Sequence, residues 1–134
     1  MTAIQALLAF TGWTLALVMG IFLYRGLRIL RGTPITHWTR GAVPDDDIAL
    51  ARRIADAHAN CLENLPVFAV LVLVAATQGK LASIDLLAAC VFYCRVVQSL
   101  MHLWGTGSLQ VHLRAIFWAG QLALFVMMFL RLLA

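Results

Sequence analysis

The sequence predicts an all-α integral membrane protein, a bundle of four membrane-spanning helices. Three observations predict it. Of the 134 residues, 63% are hydrophobic and only 12% charged, where soluble domains carry about 25% charge. The mean hydropathy is +0.90. The apolar residues gather into four long blocks separated by short polar stretches, the pattern of spans rather than of a soluble core.

The first block gives a span over about 3–24. It is expected to be retained, because Met1-Thr2-Ala3 places no basic residue before the apolar run. Arg25, Arg28 and Arg31 close it, and a loop with Gly32, Pro34, Gly41 and Pro44 follows. Asp45-Asp46-Asp47 reads as the start of the second helix, with carboxylates facing the positive helix end. That helix runs to about Thr77, with its span over about 57–77. The apolar part from Leu65 onward is too short to cross a bilayer, which takes about 20 residues. The helix therefore carries His58, Asn60, Glu63 and Asn64 into or beside the membrane, and Pro66 is a point where it can kink. Gln78-Gly79-Lys80 forms a turn. The third span covers about 84–104, Gly105-Thr106-Gly107-Ser108 the next turn, and the fourth span about 112–132. The whole chain, 1–134, reads as one domain.

Charge distribution argues about topology rather than about nucleic acid. Arg25, Arg28, Arg31, Arg40, Arg52 and Arg53 all lie between the first two apolar blocks. By the positive-inside rule the first and third loops are cytoplasmic and both termini lie on the non-cytoplasmic side. No aromatic platform accompanies the basic residues beyond Trp38, so no nucleic-acid partner is expected. Cys61, Cys90 and Cys94 fall in apolar segments and read as small hydrophobes. Cys90 and Cys94 share a helix face, but nothing completes a metal site, and no metal is expected.

Depth brings the polar residues together. At about 1.5 Å per residue, Asn60 lies about 4–5 Å and Glu63 about 9 Å inside helix two, counted from Ala57. His102 lies about 3 Å and Arg95 about 13–14 Å inside helix three, counted from Trp104, and Arg114 about 3 Å inside helix four. All five fall in the cytoplasmic half. Helical spacing sets Arg53, Asp56, Asn60 and Glu63 on one stripe of helix two. Arg95, Ser99 and His102 form a second stripe with Gln98 beside it, and Arg114, Trp118 and Gln121 a third. Ionised groups facing lipid cost about 2.5–3.5 kcal/mol even on insertion scales, so these faces should turn into the bundle or between subunits. Glu63 and Arg95 are close enough in depth for a structural ion pair. Asn60 reads equally as an interhelical hydrogen bonder, His102 as a structural residue at the membrane edge, and Arg114 as a cation reaching the headgroups. Convergence of several cations, a carboxylate and amides at one depth suits a small anionic or zwitterionic ligand.

The run Arg53-Ile54-Ala55-Asp56-Ala57-His58-Ala59-Asn60-Cys61-Leu62-Glu63-Asn64-Leu65-Pro66-Val67-Phe68 resembles the helix-two signature of the MAPEG family, the membrane-associated proteins of eicosanoid and glutathione metabolism. Arg95-Val96-Val97-Gln98-Ser99-Leu100-Met101-His102, a short turn and Arg114 resemble that family's third helix and the start of its fourth. The resemblance covers essentially the whole chain. It implies a homotrimer that holds glutathione between subunits near the cytoplasmic face, and a microsomal glutathione transferase-like activity on lipophilic small molecules. It also implies the site residues. Arg114 matches the arginine that stabilises the glutathione thiolate. Arg53, Asn60, Glu63 and Arg95 match glutathione-binding positions, with Arg28 at the end of helix one a further match. His102 stands on the same helix-three stripe, where a tyrosine is common, and is placed with the glutathione-binding residues. Ala59, Gln98, Ala115 and Trp118 also depart from the eicosanoid enzymes, which argues against a specific prostaglandin or leukotriene synthase. Two other readings stand beside the transferase: a non-catalytic membrane assembly protein whose buried polar residues hold the oligomer together, and a small exporter.

Overall fold

The computed structural model describes residues 1–39, 45–105 and 107–134. Four α-helices follow one another: α1 (Ala3–Leu30), α2 (Ala49–Thr77), α3 (Leu81–Trp104) and α4 (Ser108–Leu133). A 3₁₀ turn, Ile35–Trp38, lies between α1 and α2. Each α-helix is long and apolar enough to cross a membrane. They run up and down in turn, so that two ends of the bundle collect different loops. Arg40, Gly41 and Pro44 of the first loop, and Thr106 of the third, lie outside the described residues.

Local chemistry explains where the helices stop. Thr2 and Gln5 form a reciprocal capping box: the Gln5 amide N–H donates to Thr2 Oγ1 (3.2 Å), and the Thr2 N–H to Gln5 Oε1 (2.9 Å). α1 ends at Gly32, whose φ of 97° is costly for any residue with a Cβ. There the N–H of Thr33 donates to Arg28 O and that of Gly32 to Ile29 O, a Schellman closure. Gly79, with φ 67°, closes α2 in the same way: the N–H of Lys80 donates to Ala75 O and that of Gly79 to Ala76 O.

α1 packs on α2 and α3, while α4 packs on α3 and more lightly on α2. The common core joins Phe10 and Leu17 of α1, Ala57, Cys61, Phe68 and Val72 of α2, Ile84 and Val91 of α3, and Phe125 and Met128 of α4. Phe68 sits at its centre, 5.6 Å from the Phe10 ring and 6.2 Å from Phe125. α4 buries only the stripe Gln121, Phe125, Met128 and Leu132. Its other apolar side chains, Ile116, Val126, Phe129 and Leu130 among them, face outward, as a lipid-embedded helix permits.

The acidic run does not start α2. The helix begins at Ala49 with Ile48 at its cap and no side-chain cap bond. The first loop claims these carboxylates instead. Asp47, 8% exposed, accepts from Tyr24 Oη (3.0 Å), Arg28 Nη1 (3.0 Å) and Trp38 Nε1 (2.9 Å). Asp46 pairs with Arg28 and with His37 Nε2 (2.9 Å). Tyr24 Oη in turn accepts from the N–H of Ile48 (3.2 Å). Three donors on one carboxylate are worth more than one orphan helix N–H, so the acids fasten the end of α1 to the approach to α2. His37, Asp46 and Asp47 bring their ligating atoms within 4.8 Å of one another, but Arg28 already binds both carboxylates.

Candidate functional site

At the end of the bundle that holds the first and third loops, three helices meet through side chains. Arg114 Nη1, from the second turn of α4, lies 3.0 Å from His102 Nδ1, in the last turn of α3. The Asn60 amide, on α2, lies 3.3 Å from His102 Nε2. All three residues are half-buried. This chain of contacts, Asn60–His102–Arg114, joins three of the five residues that depth arithmetic placed in the same half of the membrane.

The bond directions follow from donor chemistry. A guanidinium only donates, so Nδ1 of His102 is the acceptor and carries no proton. In the neutral imidazole the proton is then on Nε2. Nε2–H needs an acceptor, which Asn60 supplies through Oδ1 once its amide is turned by half a revolution; amide O and N are assigned from such networks. The Asn60 backbone carbonyl is also engaged, accepting from Asn64 Nδ2 (3.2 Å).

A second row of amides braces the start of α4. Gln121 Nε2 donates to Gln98 Oε1 (3.0 Å), and Gln98 Nε2 donates to the backbone carbonyl of Arg114 (3.1 Å). Both glutamines are buried, at 2% and 0% exposed. Sequence reasoning placed both on polar stripes but did not pair them.

Other expected members lie elsewhere. Arg95 is fully buried under the face of Phe10, with its guanidinium 5.6 Å from the ring centroid. None of its three guanidinium nitrogens has a partner among the described residues. Glu63 is exposed on the outer side of α2, and no ion pair joins it to Arg95 among the described residues. The reason is angular. The inward stripe of α2 is Ala57, Cys61, Asn64 and Phe68, and Glu63, one position from Asn64, is carried about 100° around the helix. Asp56 is exposed like Glu63, while Arg53 is half-buried with an unpartnered Nε. Trp118 turns outward although Gln121 of the same stripe is buried. Arg28 is held by Asp46 and Asp47. Beside Arg95 on α3, Ser99 Oγ lies 3.7 Å from Cys61 Sγ, a contact the sequence did not suggest.

A profile of the MAPEG family matches residues 3–134. The chain belongs to the MAPEG family. Neither a search of curated proteins nor one of solved structures found a match. This MAPEG chain is thus a four-helix membrane protein of a family that includes glutathione-dependent transferases and peroxidases.

Its outer surface has one further feature. A groove of about 610 Å³ runs along α1 at the same end of the bundle, lined by Phe22, Arg25, Gly26, Ile29 and Trp38 among others. The lining is apolar except for Arg25, whose guanidinium lies 5.6 Å from the Trp38 ring centroid. α1 packs on α2 and α3, so within one subunit this groove is set apart from Arg114.

Proposed function

We propose that this MAPEG protein is a glutathione-dependent transferase or peroxidase that acts on lipophilic electrophiles, with Arg114 holding the glutathione thiolate. The observation that carries the reading is the half-buried Asn60–His102–Arg114 chain at the meeting of three helices. A thiol is a poor nucleophile until it ionises, and a neighbouring guanidinium favours the thiolate. That attraction strengthens where water is scarce. Arg114 remains protonated throughout and acts as an electrostatic anchor.

Glutathione fits the chemistry of the surrounding donors. Its two carboxylates need cations, and its amine needs an acceptor. Arg53 has a buried Nε without a partner, and Arg95 three such nitrogens. Asp56 and Glu63 offer exposed carboxylates on the same helix as Asn60. Arg28 contributes to a ligand only by giving up part of its bonding to Asp46 and Asp47. The second substrate is apolar and arrives from the lipid, in keeping with the apolar groove along α1. The site lies near the cytoplasmic face, with both termini on the opposite side, and is completed in a homotrimer.

Isothermal titration of purified protein in detergent with glutathione, followed by conjugation of chlorodinitrobenzene, tests the reading. Saturable binding and turnover support it; absence of binding overturns it. A trimer in native mass spectrometry supports the assembly, and a monomer counts against it. Reporter fusions at Ala134 that are active in the cytoplasm refute the orientation. The non-catalytic assembly reading draws on Arg95 and Glu63, whose charges lack partners among the described residues, and it gains if glutathione does not bind.

A further inference from the structure

We infer that His102 is the group that takes the proton from the bound thiol, so that the site is a His–Arg pair rather than an arginine alone. The inference rests on the glutathione reading above. Its structural basis is the protonation state that the neighbours impose on the imidazole. Arg114 approaches Nδ1 to 3.0 Å and has no acceptor atom, so Nδ1 presents a lone pair toward Arg114. That leaves Nε2 as the N–H, from which the Asn60 amide, 3.3 Å away, accepts once turned to present Oδ1. The imidazole is thereby held in the neutral tautomer with its basic nitrogen beside the anchor proposed for sulfur.

The surrounding charges make the step conditional on the substrate. Arg114 from α4 and Arg95 on α3 are cations near the ring, and Asp56 from α2 is the carboxylate near it. An imidazolium beside Arg114 is opposed by the guanidinium while no anion is present. A thiolate formed beside them, with Arg114 Nη1 giving up its bond to Nδ1 and donating to sulfur instead, offsets that repulsion, because it attracts both cations. Proton transfer and anion formation therefore occur together.

The balance is simple. The S–H bond breaks, its electron pair stays on sulfur, and the proton goes to Nδ1 of His102. With chlorodinitrobenzene the thiolate forms a C–S bond, the C–Cl bond breaks, and chloride leaves with the electron pair. His102 then releases its proton to water and returns to the tautomer that Arg114 requires.

Three measurements test it on the full-length protein in detergent. Nitrogen-15 chemical shifts of the imidazoles in protein without glutathione should show His102 protonated at Nε2 and bare at Nδ1. The opposite tautomer overturns the inference whether or not glutathione binds. In the wild type near neutral pH, ultraviolet absorbance should show thiolate while indicator dyes detect far less than one proton released per thiolate. His102→Gln keeps a side-chain carbonyl to accept from Arg114 but has no base. It should bind glutathione within a few-fold of wild type, release one proton per thiolate, and slow conjugation about a hundredfold, the scale of a lost general base. Stoichiometric proton release in the wild type, or His102→Gln turnover at the wild-type rate, overturns the role of His102 and leaves Arg114 as sole anchor. Failure of the wild type to bind glutathione is a separate result, which overturns the glutathione reading itself.

Discussion

Arg114→Ala separates the chemistry of the site from its architecture. The bond from Gln98 Nε2 goes to the backbone carbonyl of Arg114, not to its side chain, so the variant keeps the amide brace that docks α4 on α3. What it loses is the 3.0 Å contact with His102 and the positive charge. Hydrogen bonds to charged groups are worth about 1.5–3 kcal/mol, and His102 is half-buried with water within reach, which puts the stability cost toward the lower end. The charge matters more once sulfur is present. Removing one donor from a preorganised anion site costs about 2.7–4 kcal/mol, and one pKa unit corresponds to 1.36 kcal/mol. The bound thiol of Arg114→Ala should therefore titrate about two to three units above that of the wild type, and conjugation should fall by at least about a hundredfold. Affinity for glutathione should fall less, because other cations meet its carboxylates. Arg53→Ala should invert the pattern, with weaker binding and a thiol pKa close to wild type. Thiolate absorbance followed across pH, at saturating glutathione, reads both quantities. An unchanged bound-thiol pKa in Arg114→Ala would refute the electrostatic argument, whatever happened to the rate.

Three further outcomes follow from the packing. Gln121→Leu leaves Gln98 Oε1 buried without its donor, and should cost about 1–3 kcal/mol in detergent unfolding. Gln98→Leu should do the same, and the double variant should cost less than the sum of the two; additivity would show that the pair is not a unit. Glu63→Gln and Arg95→Leu, by contrast, should add to within about 0.5 kcal/mol in the unassembled subunit, and a coupling well above that would show that the two side chains do meet. The loop carries a pH dependence of known sign. The hydrogen bond from Arg28, with smaller help from the Arg28 and His37 charges, holds the Asp46 carboxyl below the usual carboxylate range. A carboxyl with a depressed folded pKa contributes stability above its unfolded pKa and loses it as pH falls through the folded one. The stability that Asp46 contributes, read by unfolding in detergent, should thus be present near neutral pH and be lost fully only in acid below the usual carboxylate range. Asp46→Asn should flatten the acid transition; an unchanged transition would place its origin elsewhere.

Four helices were legible in the sequence because long apolar blocks admit few alternatives in a membrane. Helix ends were less so. The carboxylates of Asp46 and Asp47 look like helix caps when only neighbours along the chain are considered. Their real partners, Arg28, Tyr24, His37 and Trp38, lie up to 23 residues away. For the site, depth along a helix was readable from counting, which is why Asn60, His102 and Arg114 were expected at one level and are found in contact. Angle around the helix was not, because it depends on which face of α2 turns inward. Asn64 and Cys61 take that face, which leaves Glu63 outside and Arg95 without the carboxylate that its depth suggested.

The charge balance of the subunit carries the assembly argument. A guanidinium shielded from solvent and facing only an aromatic ring among charged or aromatic partners has exchanged its water for far weaker contacts. Glu63, exposed on a helix that crosses the bilayer, carries the complementary cost on the outer surface. On the proposed reading, relief comes from outside the single chain, and there are two chemically distinct sources. A carboxylate of glutathione would meet Arg95 and its amine would meet Glu63, whereas a neighbouring copy would cover Glu63 with a cation of its own. Arg95→Leu should therefore weaken glutathione binding at a carboxylate with any assembly intact, and Glu63→Gln should weaken it at the amine; an assembly that loosens in Glu63→Gln while glutathione affinity holds would assign Glu63 to a subunit interface instead.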